Sequence, residues 1–183
     1  MKNKDQLRVG VIGMGPIGTT LTAHLIEAGA YVVPCDIDRA RIDKIKTGGI
    51  RLENVIEKET PVSETCYAIE ELEKHDLDLV AIAVKTPSLA KVVSLLHEIA
   101  SDRMFVMSTQ NGLDNEQDVA RIFGPDRTLR MVINYAGGMK DHNTVHLIFF
   151  NPPNYIAPLT SGGKEMAEKI AAVSYTHLTL PTN

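Results

Sequence analysis

Leu7-Arg8-Val9-Gly10-Val11-Ile12-Gly13-Met14-Gly15-Pro16-Ile17-Gly18 is the stretch from which the rest of the chain can be read. Its first half is a compact, mostly apolar run that stops at glycine, the pattern of a strand buried on both faces. Beyond it Ile17, Leu21, Leu25 and Ala28 recur at helical spacing, and Gly29 supplies a C-terminal stop. A Gly-x-Gly-x-x-Gly turn between strand and helix has a mechanism. Gly13 permits the tight turn, Gly15 lets backbone approach a pyrophosphate, and Gly18 removes a Cβ so that helix and strand pack closely. The helix N-terminus, entered through Met14, Pro16 and Ile17, turns unpaired N–H groups and a positive dipole end toward phosphate. Gly13 to Gly18 is therefore a candidate cofactor-binding loop for a dinucleotide.

Tyr31 to Cys35 reads as a second strand, ending at Asp36, which lies 18 residues beyond Gly18. That is close to the ~20-residue offset at which an acidic residue meets a ribose. A carboxylate there accepts from both ribose hydroxyls and repels a 2′-phosphate, so among NAD(P)H cofactors it favours NADH. Arg39 and Arg41 follow closely; they could serve a 2′-phosphate, but a solvated helix face is the favoured reading.

Arg39 to Lys46 reads as a short helix, Ile50 to Thr60 as a small inserted hairpin turning near Asn54, and Tyr67 to Lys74 as a helix. Leu79 to Val84 is the clearest buried strand, and a helix from Pro87 to Ala100 follows it. Met104 to Met107, Leu129 to Ile133, Val145 to Phe150 and Tyr155 to Pro158 read as further strands. Glu116 to Phe123 and Lys164 to Ala172 complete the helices. Alternating strands and helices predict an α/β domain, Rossmann-like and doubly wound, with a mainly parallel sheet.

Lys85 follows the third major strand and Asn111 the fourth. The carboxyl ends of strands near a switch point face the ligand in such sheets, which makes both residues candidate catalytic and cofactor-binding groups. Taken singly, Lys85 reads equally as a surface lysine and Asn111 as a turn residue of an Asn-Gly pair. His24 reads as a packing residue. His75 and His97 have no carboxylate or cysteine at metal spacing, so no metal site is expected.

The chain has 183 residues, 19 basic and 23 acidic side chains, and 44% apolar residues. This composition suits one packed domain. Mild acidity argues against nucleic acid or an anionic membrane surface as partner, and apolar runs are too short to span a bilayer. A polar N-terminus without a secretory pattern and two cysteines without framework spacing lead to the expectation of a reduced, cytoplasmic protein. Val173 to Thr182 matches nothing before it and looks like the translation of a transposase adapter used in sequencing libraries. The expected division is a domain over residues 1–172 and a non-native tail over 173–183.

The glycine loop, the hairpin around Gly49-Ile50-Arg51-Leu52, the pair Val84-Lys85 and the run Thr109-Gln110-Asn111-Gly112, in that order, resemble ketopantoate reductase (2-dehydropantoate 2-reductase). The resemblance covers residues 7 to about 172, which correspond to that family's N-terminal domain. It implies NAD(P)H-dependent reduction of a 2-oxo acid to a 2-hydroxy acid on the way to pantothenate. In the family the equivalent of Lys85 helps hold cofactor and substrate, and that of Asn111 hydrogen-bonds at the reacting centre. A general-acid lysine and a substrate-binding glutamate belong to a helical C-terminal domain absent from this sequence. The resemblance therefore implies a fragment that binds dinucleotide weakly, does not turn over ketopantoate and exposes an apolar inter-domain face. It leaves room for a homodimer in the full-length protein. Family members more often carry a basic residue where this chain has Asp36-Ile37-Asp38. Another NAD-dependent hydroxy-acid or sugar-alcohol dehydrogenase, or a non-catalytic dinucleotide-binding module, are the alternatives.

Overall fold

The structure, a computed structural model, describes residues 6–173 and 178–179. It opens with alternating strand and helix: β1 (Arg8–Ile12), α1 (Pro16–Glu27), β2 (Tyr31–Cys35) and α2 (Arg39–Gly48). The hairpin β3 (Ile50–Asn54) and β4 (Lys58–Thr60) follows, then β5 (Leu79–Ile82), α3 (Leu89–Ile99), β6 (Phe105–Ser108) and α4 (Asn115–Phe123). The remainder is β7 (Thr128–Val132), β8 (Tyr135–Met139), β9 (Thr144–Phe150), β10 (Asn154–Pro158), α5 (Lys164–Val173) and β11 (Leu178–Thr179).

Seven strands form the main sheet in the order β11-β10-β7-β6-β5-β1-β2. β2, β1, β5, β6 and β7 run parallel, and β10 pairs antiparallel with β7. Val9, Val11, Leu79, Val80, Ala81, Ile82 and Val106 are fully buried, as expected for central strands covered on both faces. The chain order reverses at β1, which has β2 on one side and β5 on the other. A crevice opens at the carboxyl ends of strands where such a reversal occurs.

Two elements go beyond what local patterning indicates. Val145 to Phe150 does not extend the main sheet. β9 lies parallel to β3 and antiparallel to β8 in a separate four-stranded sheet of order β4-β3-β9-β8. The hairpin is thus half of a second sheet closed by a strand from far along the chain, a partner that local patterning cannot indicate. The Tyr67 to Lys74 segment is a 3-10 helix over Ile69–His75. It buries Ile69, Leu72 and His75, and that i, i+3, i+6 stripe suits three residues per turn. The adapter-like stretch falls mostly outside the described residues; within it Leu178 and Thr179 pair parallel with Asn154 and Tyr155.

Candidate functional site at the switch point

Backbone pairing fixes the exits of the central strands. Gly13 N–H donates to the Cys35 carbonyl at 2.9 Å and Ala83 N–H to that of Ile12 at 2.8 Å. Gly13 takes φ +96°, and a Cβ there would sit 2.8 Å from a Val84 methyl. At Gly18 a Cβ would lie 1.9 Å from the Gly13 carbonyl oxygen, so the helix meets the loop at a distance only glycine allows. Gly15 differs: a Cβ there would meet nothing within 4 Å. Protein packing does not explain this glycine, whereas a ligand backed against the loop would.

Gly15 is the N-cap of α1, with Pro16 in the first turn and no acidic residue there. The first intrahelical bond runs from Thr19 N–H to the Gly15 carbonyl at 2.9 Å, so Ile17 and Gly18 hold first-turn amides without an intrahelical acceptor. An anion fits such a terminus.

Met14 is held from both sides. Its N–H donates to Asp36 Oδ2 at 2.6 Å, while its carbonyl accepts from Arg41 Nη1 and Thr19 Oγ1, each at 3.0 Å. The contacts add to the readings of Asp36, Met14 and Arg41. Asp36 is already engaged, since Oδ1 also accepts from Asp38 N–H at 2.9 Å, though a carboxylate keeps lone pairs for further donors. Met14 contributes loop shape, its amide being spent on Asp36. Arg41 does not lie on a solvated face. Its side chain is 21% exposed and packs back on the loop, while Arg39 lies over the Tyr67 ring at 4.9 Å.

Two clefts flank the loop. One, of about 460 Å³, is lined by Gly15, Pro16, Ile17, Val84, Lys85, Thr109, Gln110, Asn111 and Ile133. The other, of about 340 Å³, is lined by Gly13, Asp36, Ile37, Ile69, Val84, Lys91 and Leu95. Val84 borders both. The structure thus brings Lys85 and Asn111 to the first cleft and Asp36 to the second, with the glycine loop between them. Lys85 and Asn111 are exposed at the rim. Among the described residues no carboxylate pairs with Lys85, leaving its charge available to an anion. The wall behind them is buried. Thr109 Oγ1 and Gln110 Nε2 both donate to the Ile82 carbonyl at 2.9 Å. Neither was singled out as a site residue by sequence; the signal is two polar side chains placed directly after a buried strand.

His75 is a buried contact residue. Its Nδ1 lies 2.8 Å from the Tyr31 hydroxyl and its Nε2 3.5 Å from Cys66 Sγ, a cysteine neighbour that sequence separation concealed. Burial pushes the Cys66 thiol up to about 11 and raises that of Cys35 further. Both are protonated, buried thiols. Among the described residues no three His, Cys, Asp or Glu side chains gather as a metal site, and no helix is long and apolar enough to cross a membrane.

Among solved structures, the chain is similar to a PanE/ApbA family ketopantoate reductase from Ralstonia eutropha JMP134, with TM-score 0.79 and 22% identity over 97% of this chain and 57% of that one. It is similar to 2-dehydropantoate 2-reductase from Geobacter metallireducens GS-15, with TM-score 0.80 and 21% identity over 96% and 58%. D-mandelate dehydrogenase in its ternary structure with NADH and anilino(oxo)acetate superposes with TM-score 0.80 at 19% identity, over 97% and 57%. At these identities the likeness shows the fold, and the chain spans about 57% of the first of these proteins. The sequence model of the family Ketopantoate reductase PanE/ApbA matches residues 9–159, from the first strand through the last strand of the antiparallel edge, and the chain belongs to that family.

Proposed function

We propose that residues up to about 172 are the dinucleotide-binding domain of a two-domain NAD(P)H-dependent oxidoreductase that reduces a small 2-oxo acid, with ketopantoate to pantoate as the favoured reaction in pantothenate synthesis. The observation that carries this reading is a pair of clefts on either side of one glycine loop, with an open position at Gly15 where packing alone would admit a side chain. A bound reduced nicotinamide supplies a hydride to the substrate's carbonyl carbon. The chain's own part is position and charge. The Ile17 and Gly18 amides receive the pyrophosphate. The Lys85 ammonium offsets anionic charge in the first cleft, and the Asn111 carboxamide donates to the carbonyl oxygen as negative charge grows there. The proton for the alkoxide comes, by the family resemblance, from a lysine of a second, helical domain. The full-length protein is a cytoplasmic enzyme in this reading, which leaves room for a homodimer.

Asp36 favours NADH. Its carboxylate stands in the second cleft, and Arg41 is committed to the loop instead of being free for a 2′-phosphate. Among the similar folds, the D-mandelate dehydrogenase structure holds NADH. It also supports a second reading, another 2-hydroxy-acid dehydrogenase, which a substrate panel on the full-length protein separates from the first. Titrating this chain with NADH and NADPH by nicotinamide fluorescence tests the cofactor assignment. NADH is expected to bind at least about tenfold more tightly. Equal or reversed affinities overturn the Asp36 role, and no binding of either overturns the dinucleotide reading.

A further inference from the structure

Gln110 lies between the two residues proposed to touch the reactants, and its side chain is committed entirely to the protein. It is 7% exposed. Nε2 donates to the Ile82 carbonyl at 2.9 Å and to the Val84 carbonyl at 3.1 Å, while Oε1 accepts from Ser108 Oγ at 2.7 Å. Both amide hydrogens are thus placed on the exit of β5, and the oxygen is placed on the end of β6. Regular pairing between those strands stops at Ile82 and Ser108. Beyond that point the Gln110 carboxamide continues the connection, joining the segment that leads into Lys85 to the segment that leads into Asn111. Only a primary amide of this length offers two donors and one acceptor in one plane.

We propose that Gln110 is a positioning residue that sets Lys85 against Asn111 across the nicotinamide-side cleft; this rests on the dinucleotide reading above. The amide itself reaches no ligand, since its donors are both used. Its side chain lines one cleft only, although Val84, whose carbonyl it holds, borders both. Gln110 lines the cleft with Lys85 and Asn111, whereas Asp36 lines the other. That asymmetry separates positioning from general support of the fold.

The experiment titrates the wild-type chain and Gln110→Met with two half-ligands, reduced nicotinamide mononucleotide and ADP-ribose. Methionine keeps the side chain's length and loses all three hydrogen bonds. Gln110→Met is expected to weaken the nicotinamide half about tenfold, with ADP-ribose held within about twofold. Equal weakening of both halves, or of neither, overturns the proposal. A wild-type chain that binds neither half overturns the dinucleotide reading and this inference with it, an outcome distinct from a wild type that binds both and a variant that matches it. Should Gln110→Met not fold, the side-chain amide resonances of Gln110 in the wild type give the answer. They are expected to move with the nicotinamide half and stay still with ADP-ribose, and the opposite pattern, or no movement with either, overturns the proposal.

Discussion

Gly15 and Gly18 stand three residues apart in one motif and face opposite surroundings. A methyl at position 18 collides with the Gly13 carbonyl oxygen at 1.9 Å, and one at position 15 meets no protein atom within 4 Å. Gly18→Ala is therefore expected to destabilise the fold by about 2–4 kcal/mol, because a backbone carbonyl cannot swing aside as a flexible side chain can. Gly15→Ala is expected to stay within about 0.5 kcal/mol of wild type in denaturant melts while losing at least about tenfold in NADH affinity. A destabilised Gly15→Ala, or one that binds normally, would contradict the close-approach role. The sequence made the glycine loop legible because its signal is local: strand, turn and helix follow within twelve residues. The brace on Met14 was not legible. Arg41 lies 27 residues away and reaches the loop only because α2 folds back beside it.

At the level of elements, α2 shows how a short helix, half of whose residues are charged, is kept in place. Ile42 and Ile45 are fully buried, and Asp38 caps the N-terminus by accepting from Arg41 N–H at 3.1 Å. Removing that cap with Asp38→Ala is expected to cost about 1 kcal/mol, with Asp38→Ser recovering most of it, as judged by chemical denaturation. No change in Asp38→Ala would mean that the buried isoleucines alone hold the helix. Elements with a clear period were legible, among them α3, whose Leu89, Val92, Val93 and Leu96 all point inward. β8 was not. Its Tyr135-Ala136-Gly137-Gly138-Met139 carries two glycines, which strand patterns disfavour. Gly137 sits at a register shift where a Cβ would come within 2.6 Å of the His146 carbonyl oxygen. The strand's glycine answers to its partner and not to its own neighbours, so local reading passes over it.

Across the whole molecule, His75 joins three stretches of chain, meeting Tyr31 of β2 and Cys66 while its own backbone carbonyl accepts from Arg8 of β1. Burial, with the Lys74 charge beside it, holds its imidazole below the ordinary 6.5. The unfolded chain takes up this proton at higher pH than the folded one. Stability from this group is therefore complete above pH 6.5 and is lost as pH falls through the folded value. Thermal midpoints followed from about pH 7 to 5 are expected to decline more steeply for wild type than for His75→Gln, and parallel slopes would remove His75 from the account. Exposed Val132 and Tyr155 are cross-strand partners on β7 and β10, with Ile148 and Phe149 exposed on β9, so apolar surface is present in the second half of the chain. Asp36 also has a consequence beyond its own position. The carboxylate proposed to choose between the two nicotinamide cofactors is also the strut beneath the turn at Met14, so a chain drifting toward the phosphorylated form must find a new support for that turn in the same step. In this chain the proposed cofactor choice is thereby tied to loop architecture, and a conversion made by one substitution alone is expected to yield a slack loop before it yields a new preference.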